Sequence, residues 1–420
     1  MNLEKLQPFP SQFVLQDLTS ITGTVFKLKI NPLQEKAYEF TRAWFVNLGV
    51  YSEPKQSKFL SHRFDLYAGL SFSDADLQHL DTCIAFFLWA FSFDDLSDEG
   101  ELQSKPERVQ IGVDITMGVL NHPDAPAPQF KYAAMLHDIW RRFRATASPG
   151  ACNRFYRAVA SWMKSQVEQA QLRSDNRTPS VEEFILLRRR TIGGEIVEAM
   201  VEYSLDLKIP EWVWDHPILV GMSHAVIDVM TWPNDLISFN VSPTVIAFTT
   251  RYSHFYELQK EQSDNDYQNL VVCVMLEHNT DLQGAVDIVT KMLAQRVADY
   301  ANLKSRLPSF GPEIDGELSR YLTALEQYTQ GTVVWYYDSP RYFRGIDLSN
   351  KHNLLIPVYP PSTDASRPWA VTRQKVVDRL VLQVPVVVRI ALAIIAIVSL
   401  LLWQFVVPSA TRLHVGPLSL

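Results

Sequence analysis

From its N-terminus to about residue 350, the chain repeats apolar residues at helical spacing. It shows almost none of the alternation that a half-buried strand needs. The stretch AVDIVTKMLAQRVADYANL puts Val286, Val289, Leu293, Val297 and Tyr300 on one helical face. SVEEFILL opens with Ser180 and carries Glu183 three positions on. At that spacing the two side chains cap a helix start reciprocally. Pro179, Pro210, Pro308 and Pro312 punctuate the periodic runs. No strand series, Gly-rich phosphate loop or internal repeat accompanies them. The expectation is an all-α domain over residues 1–350, with ample core material in a chain of 420 residues that is 47% hydrophobic.

The C-terminal part reads differently. PVYPPSTDASRP has the composition of a linker, set at residues 351–375. Within 376–420, Ile390 to Val407 is 18 residues without a charge, long enough for a membrane-spanning helix. Arg373, Lys375, Arg379 and Arg389 precede it and only Arg412 follows. That bias places the domain on the cytoplasmic side of a tail anchor, with the endoplasmic reticulum as the expected membrane. The N-terminus has no apolar stretch after a basic start, so no secretory signal is expected. The net charge is −7 without a basic stripe, which argues against a nucleic-acid partner. Cys83, Cys152 and Cys273 are odd in number and widely spaced, the pattern of reduced thiols.

Three groups of residues suggest chemistry. In LWAFSFDDLSDEG, Asp94 and Asp98 share a helical face with Asp95 beside them, and Glu99 follows. Four acids at the end of an apolar run repel one another, and a divalent cation relieves that repulsion. Mg²⁺ favours carboxylates combined with substrate phosphates. The aromatic run Phe86, Phe87, Trp89, Phe91 and Phe93 sets these acids beside an apolar environment. NDLIS offers an amide oxygen, Asn234, and a hydroxyl, Ser238, at i and i+4. LLRRRTIGG carries Arg188, Arg189 and Arg190, and WYYDSPRYF carries Arg341 and Tyr342. Arginine forks match phosphate oxygens two at a time. Together these groups suit metal-assisted departure of a diphosphate inside an apolar cavity.

With these motifs the chain resembles the class I terpene synthases, of the fungal sesquiterpene synthase type, over roughly residues 10–350. The family's aspartate-rich motif matches Asp94, Asp95 and Asp98. Its second metal motif matches Asn234 and Ser238. Its diphosphate-sensing arginine matches Arg189 in RRRTIG, with Gly193 at a helix break. Its late motif matches Trp335, Ser339, Arg341 and Tyr342. The resemblance implies a single-domain helical bundle that ionises farnesyl diphosphate and cyclises or deprotonates the cation. It implies three Mg²⁺ ions on these metal ligands and Glu261. Arg189, Lys260, Arg341 and Tyr342 then bind diphosphate, Arg189, Arg341 and Tyr342 acting catalytically, with Phe87, Trp89 and Trp232 as candidate lining. The membrane span is not part of the family pattern. A squalene-synthase-like condensing enzyme should carry two aspartate-rich motifs, and here the second is Asn-Ser. The other alternative is a catalytically silent, membrane-tethered homologue.

The second metal motif is interrupted. A third ligand is due at position 242, which is a serine followed by Pro243. Removing Val241 to Gln259 leaves NDLISFNKEQSDN, in which Glu261 stands four after Ser238 and follows Lys260. The excised segment begins Val-Ser, which GTNAGY can encode, and ends in Gln, which CAG can encode. These are the ends of an intron. Residues 241–259 therefore read as a retained intron, with a genuine loop insertion as the alternative.

Overall fold

The helical periodicity is realised as fifteen helices among the residues that the computed structural model describes, 6–97, 105–175, 177–239, 268–343 and 345–358. Strand β1 (Gln12–Gln16) comes first, followed by α1 (Leu18–Thr22), α2 (Gln34–Leu48), α3 (Lys55–Leu60), α4 (Phe64–Ser71) and α5 (Leu77–Ser97). Next are α6 (Pro106–Asn121), α7 (Lys131–Thr146), α8 (Pro149–Ser174), α9 (Val181–Thr191), α10 (Gly194–Ser204) and α11 (Glu211–Trp214). The remainder is α12 (Pro217–Ser238), α13 (Leu270–His278), α14 (Leu282–Ser305), α15 (Pro312–Asp338) and β2 (Asn353–Pro357).

Local chemistry accounts for the helix boundaries. Ser180 and Glu183 form the expected capping box at the start of α9. Pro149, Pro217 and Pro312 stand in first turns, where a missing N–H costs nothing. On α14 the residues Val286, Val289, Leu293, Val297 and Tyr300 are all buried, as their spacing predicts. Helix α12 packs against α14 and α15, α15 against α4, and α4 against α5. Helix α10 closes the bundle against α5, α8 and α12. Gly194 permits that closure. A Cβ there would stand 2.5 Å from Met230 Cε and 2.9 Å from Ile227 Cγ1 of α12.

One element was not visible in the sequence. Strands β1 and β2 pair antiparallel, with Gln12 opposite Pro357 and Gln16 opposite Asn353. Each has five residues and only two apolar side chains turned inward (Phe13 and Leu15, Leu354 and Ile356), too short a run for alternation to register. Gln283 of α14 grips the sheet, accepting from Val14 N at 2.8 Å and donating to Val14 O at 3.1 Å. The folded unit thus reaches at least Val358, inside the stretch 351–375 read as a linker. No helix among the described residues is long and apolar enough to cross a membrane. The Ile390–Val407 segment lies outside the described residues, as does 241–259.

Candidate active site

Four helices deliver their C-terminal ends to one place. Asp94 and Asp95 end α5, Arg188 stands in the last turn of α9, Asn234 and Ser238 lie in the last turns of α12, and Arg341 and Tyr342 follow α15. A helix C-terminus carries partial negative charge. Carboxylates placed there are unfavourable unless a cation answers them, so this end of the bundle attracts arginines and metal ions.

Arg341 answers α5. Its Nη2 donates to Asp95 Oδ1 at 3.0 Å, and its guanidinium lies 5.8 Å from the Phe91 ring centroid. Burial alone would lower the Arg341 pKa. Asp95, Tyr342 and Asp94 outweigh that effect and hold it above its usual value. Arg341 Nη1 is buried with no hydrogen-bond partner among the described residues. The geometry after α15 comes from Ser339, whose hydroxyl donates to His62 O at 2.9 Å and accepts from Arg341 N at 3.2 Å. Trp335 Nε1 adds bonds to His62 O and Arg63 O. Trp335 and Ser339 therefore tie α15 to the start of α4 and aim Arg341.

Tyr342 links this group to α12. Its hydroxyl accepts from Asn234 Nδ2 at 3.3 Å. Burial raises the Tyr342 pKa to about 12, with Arg341 opposing and Asp94 reinforcing, so the phenol keeps its proton at neutral pH. Arg188 completes the circuit, with Nη2 donating to Asn234 Oδ1 at 2.9 Å and Nε to Asp235 Oδ1 at 3.0 Å. Burial raises the Asp235 carboxyl against the pull of Arg188. Asn269 donates to Asp235 O at 2.9 Å, pinning the start of α13 to the last turns of α12. The described chain thus resumes, at Asn269, beside the last turns of α12.

Aromatic rings back these polar groups. Tyr67 stacks on Trp335 at 4.4 Å and on Phe87 at 4.3 Å, and Phe64 stacks on Phe91 at 4.3 Å. Phe87, Trp89 and Trp232 are all buried. Trp89 stacks on Phe93 and meets Trp162 edge-on, deep in the core.

Arg189 does not bond Asn234; its Nε and Nη2 both bond Asp228, each at 2.8 Å. The arginine that bonds Asn234 is Arg188. The signal was in the helix phase. Arg188 lies four after Phe184 and three before Thr191, both buried, and so shares their inward stripe. Arg189 is turned about 100° from it. Gly193 does break the helix, with φ of 75° between α9 and α10. Trp162 Nε1 and Gln166 Nε2 both donate to the Thr191 carbonyl beside that break. Asp98, Lys260 and Glu261 lie outside the described residues.

The donor set fits a hard divalent cation. Asp94, Asp95, Asn234 and Ser238 offer only oxygen, with no cysteine or histidine among them. No cluster of three or more acidic, histidine or cysteine side chains forms a complete metal cage among the described residues. Two carboxylates with neutral oxygens leave positions for phosphate oxygens, and the unpartnered Arg341 Nη1 is a ready phosphate donor.

Comparison with known proteins agrees with this geometry. The family model described as terpene synthase family 2, C-terminal metal binding, matches residues 85–242 and 254–299. The match is broken inside the 241–259 segment. Sesquiterpene synthase Agr1 of Cyclocybe aegerita is 30% identical over 332 residues, covering 79% of this chain and 89% of its own. Alpha-muurolene synthase of Coprinopsis cinerea is 27% identical over 364 residues, covering 84% of this chain and 80% of its own. Among solved structures, germacradien-4-ol synthase from Streptomyces citricolor superposes with a TM-score of 0.62 at 19% identity. It covers 76% of this chain and 99% of that one, a likeness of fold. The chain belongs to the class I terpene synthase family, of the fungal sesquiterpene synthase type.

Proposed function

We propose that the protein ionises farnesyl diphosphate and converts the resulting cation to a sesquiterpene, releasing inorganic diphosphate. The observation that carries this reading is the convergence of Arg188, Arg341, Tyr342, Asn234 and the α5 aspartates against an aromatic wall. Asp94, Asp95, Asn234 and Ser238, with Asp98 and Glu261, would hold Mg²⁺, three ions on the family pattern. Bound there, the metal neutralises charge on the leaving diphosphate.

The side chains divide the remaining work. Arg188 and Arg341 pair with protein acids and amides in the described state, so each has a bond to exchange for a phosphate oxygen. The bond from C1 to the diphosphate oxygen breaks and its electron pair leaves with the diphosphate. Preorganised guanidinium groups stabilise that charge without reorganising water. The protonated Tyr342 hydroxyl donates to the same group, and Lys260 adds a further cation. The rings of Phe91, Trp335 and Tyr67 exclude water, and the partly exposed Phe91 offers a π-face to the allylic cation. The product is then set by deprotonation or ring closure within the apolar wall. Farnesyl diphosphate and Mg²⁺ should yield volatile C15 products by gas chromatography and mass spectrometry, abolished by EDTA. A chain that turned over no prenyl diphosphate would instead be the catalytically silent homologue.

Residues 376–420 hold this domain at the cytoplasmic face of a membrane, the endoplasmic reticulum, with Ile390–Val407 as the span. The support is the uncharged run and the basic residues before it. The full chain should sediment with membranes and resist carbonate extraction; recovery in the soluble fraction would remove the anchor.

A further inference from the structure

Two neighbouring arginines on α9 take opposite assignments. Arg188 turns into the site, to Asn234 and Asp235. Arg189 turns away, to Asp228. Asp228 and Asp235 lie seven residues apart on α12, two turns, about 10 Å along the axis. Helix α9 is thus fastened to α12 by two arginine–aspartate pairs, one inside the site and one outside it.

The outer pair is the more firmly built. Asp228 is 1% exposed, and its two oxygens accept from Arg189 Nε and Nη2 at 2.8 Å each. Arg296 of α14 adds a third bond, from Nε to Asp228 Oδ2 at 2.8 Å. A two-point fork on a carboxylate fixes direction as well as distance. The last turn of α9 needs such a fixture, because the helix stops at Thr191 and the chain turns at Gly193. A rotation of one residue step would exchange Arg188 for Arg189 at the site. The Arg189–Asp228 fork opposes that rotation, and Arg296 holds the carboxylate for it.

We propose that Asp228 is a positioning residue that acts through Arg189 and sets the helix rotation presenting Arg188 to the substrate diphosphate. The inference rests on the diphosphate-binding reading above. When a phosphate draws the Arg188 side chain from Asn234 and Asp235, the inner pair is lost and the outer clamp keeps the helix in register. Misplacing a binding group by a fraction of a turn is the kind of error that costs one to two orders of magnitude.

The test is the inhibition constant for inorganic diphosphate with Mg²⁺, measured on the full chain, together with a thermal melt. Asp228→Asn should raise that constant about tenfold or more. The deciding arm is a double-mutant cycle with Arg188→Gln. In the Arg188→Gln background, Asp228→Asn should change the constant by less than about twofold, because the group it positions is gone. Equal factors in both backgrounds would show a general structural role and overturn the proposal, as would an unchanged constant in Asp228→Asn alone. Should Asp228→Asn fail to fold, Arg189→Lys keeps the charge and removes the fork. It should raise the constant in the parent chain and leave it unmoved beside Arg188→Gln, and any other pattern overturns the proposal. A parent chain that binds no diphosphate at all would sink the functional reading, and this inference with it. Diphosphate binding with an additive cycle sinks the positioning role alone.

Discussion

Arg188 and Glu198 show how differently two charged groups can be used in one bundle. Arg188 is shared between an amide and a carboxylate of α12, bonds that a phosphate can replace. Arg188→Gln should lower kcat/KM for farnesyl diphosphate by about 10²-fold or more, the scale for removing one donor to developing negative charge. Arg190→Gln, which loses only a half-exposed pairing with Glu168, should leave it nearly unchanged. A steady-state comparison of the two variants checks this. Glu198 lies away from these groups, on α10. Its Oε2 accepts from Ser223 at 2.6 Å, while Oε1 is buried without a partner. Burial lifts its pKa from 4.5 to about 8. Between those values the folded chain keeps a proton that the unfolded chain releases, so stability falls as pH rises through this window. Above about 8 the loss is complete, on the order of a few kcal/mol. Melting temperature should decline from pH 5 to pH 8, and Glu198→Gln should flatten the decline. An equal slope in the variant would assign the pH dependence to other groups.

Among the elements, α10 and α12 approach most closely where Gly194 meets Met230 and Ile227. Gly194→Ala introduces a methyl group where the space is already filled. Met230 Cε is the flexible end of a side chain and can yield, but Ile227 Cγ1 is held near its own backbone. The expected cost is about 1–3 kcal/mol of stability, read as a lower denaturation midpoint. Gly193 differs, since its constraint is a φ of 75° rather than space. The α9–α10 break at Gly193 was legible through the family resemblance, and the capping box at Ser180 through the spacing of two residues, a property of a few consecutive positions. The β1–β2 pair was not legible, since its strands lie more than 300 residues apart and each is only five residues long.

At the scale of the whole chain the open matter is the 19 residues from Val241 to Gln259. Helix α12 reaches Ser238, and Asn269, ten residues past the segment, donates to Asp235 O beside Asn234. Loop closure costs rise slowly with length, so the bundle is expected to tolerate the extra chain. The metal ligands are less tolerant, since Glu261 has to return to a helical position four after Ser238. Deleting 241–259 should raise turnover of farnesyl diphosphate by at least about tenfold while leaving the far-ultraviolet circular dichroism of the bundle unchanged. Equal rates and identical products from both forms would show that the segment is a tolerated loop.

The sequence by itself determined the helical class, the places where helices begin and break, and the kinds of side chain available for chemistry. These are local properties, set by 3.6 residues per turn and by the caps at each end. The tertiary structure decided which of them meet. It turned Arg188 rather than Arg189 toward Asn234, because each residue step rotates a helix by about 100° and only the packing of α9 on α12 selects the phase. It gave Trp335 and Ser339 the task of aiming Arg341, through carbonyls at His62 and Arg63 far away in sequence. It placed Asp228 between Arg189 and Arg296, residues of two other helices. A motif names residue types at a spacing, whereas a contact also needs the partner's position, and that position exists only once the helices have packed.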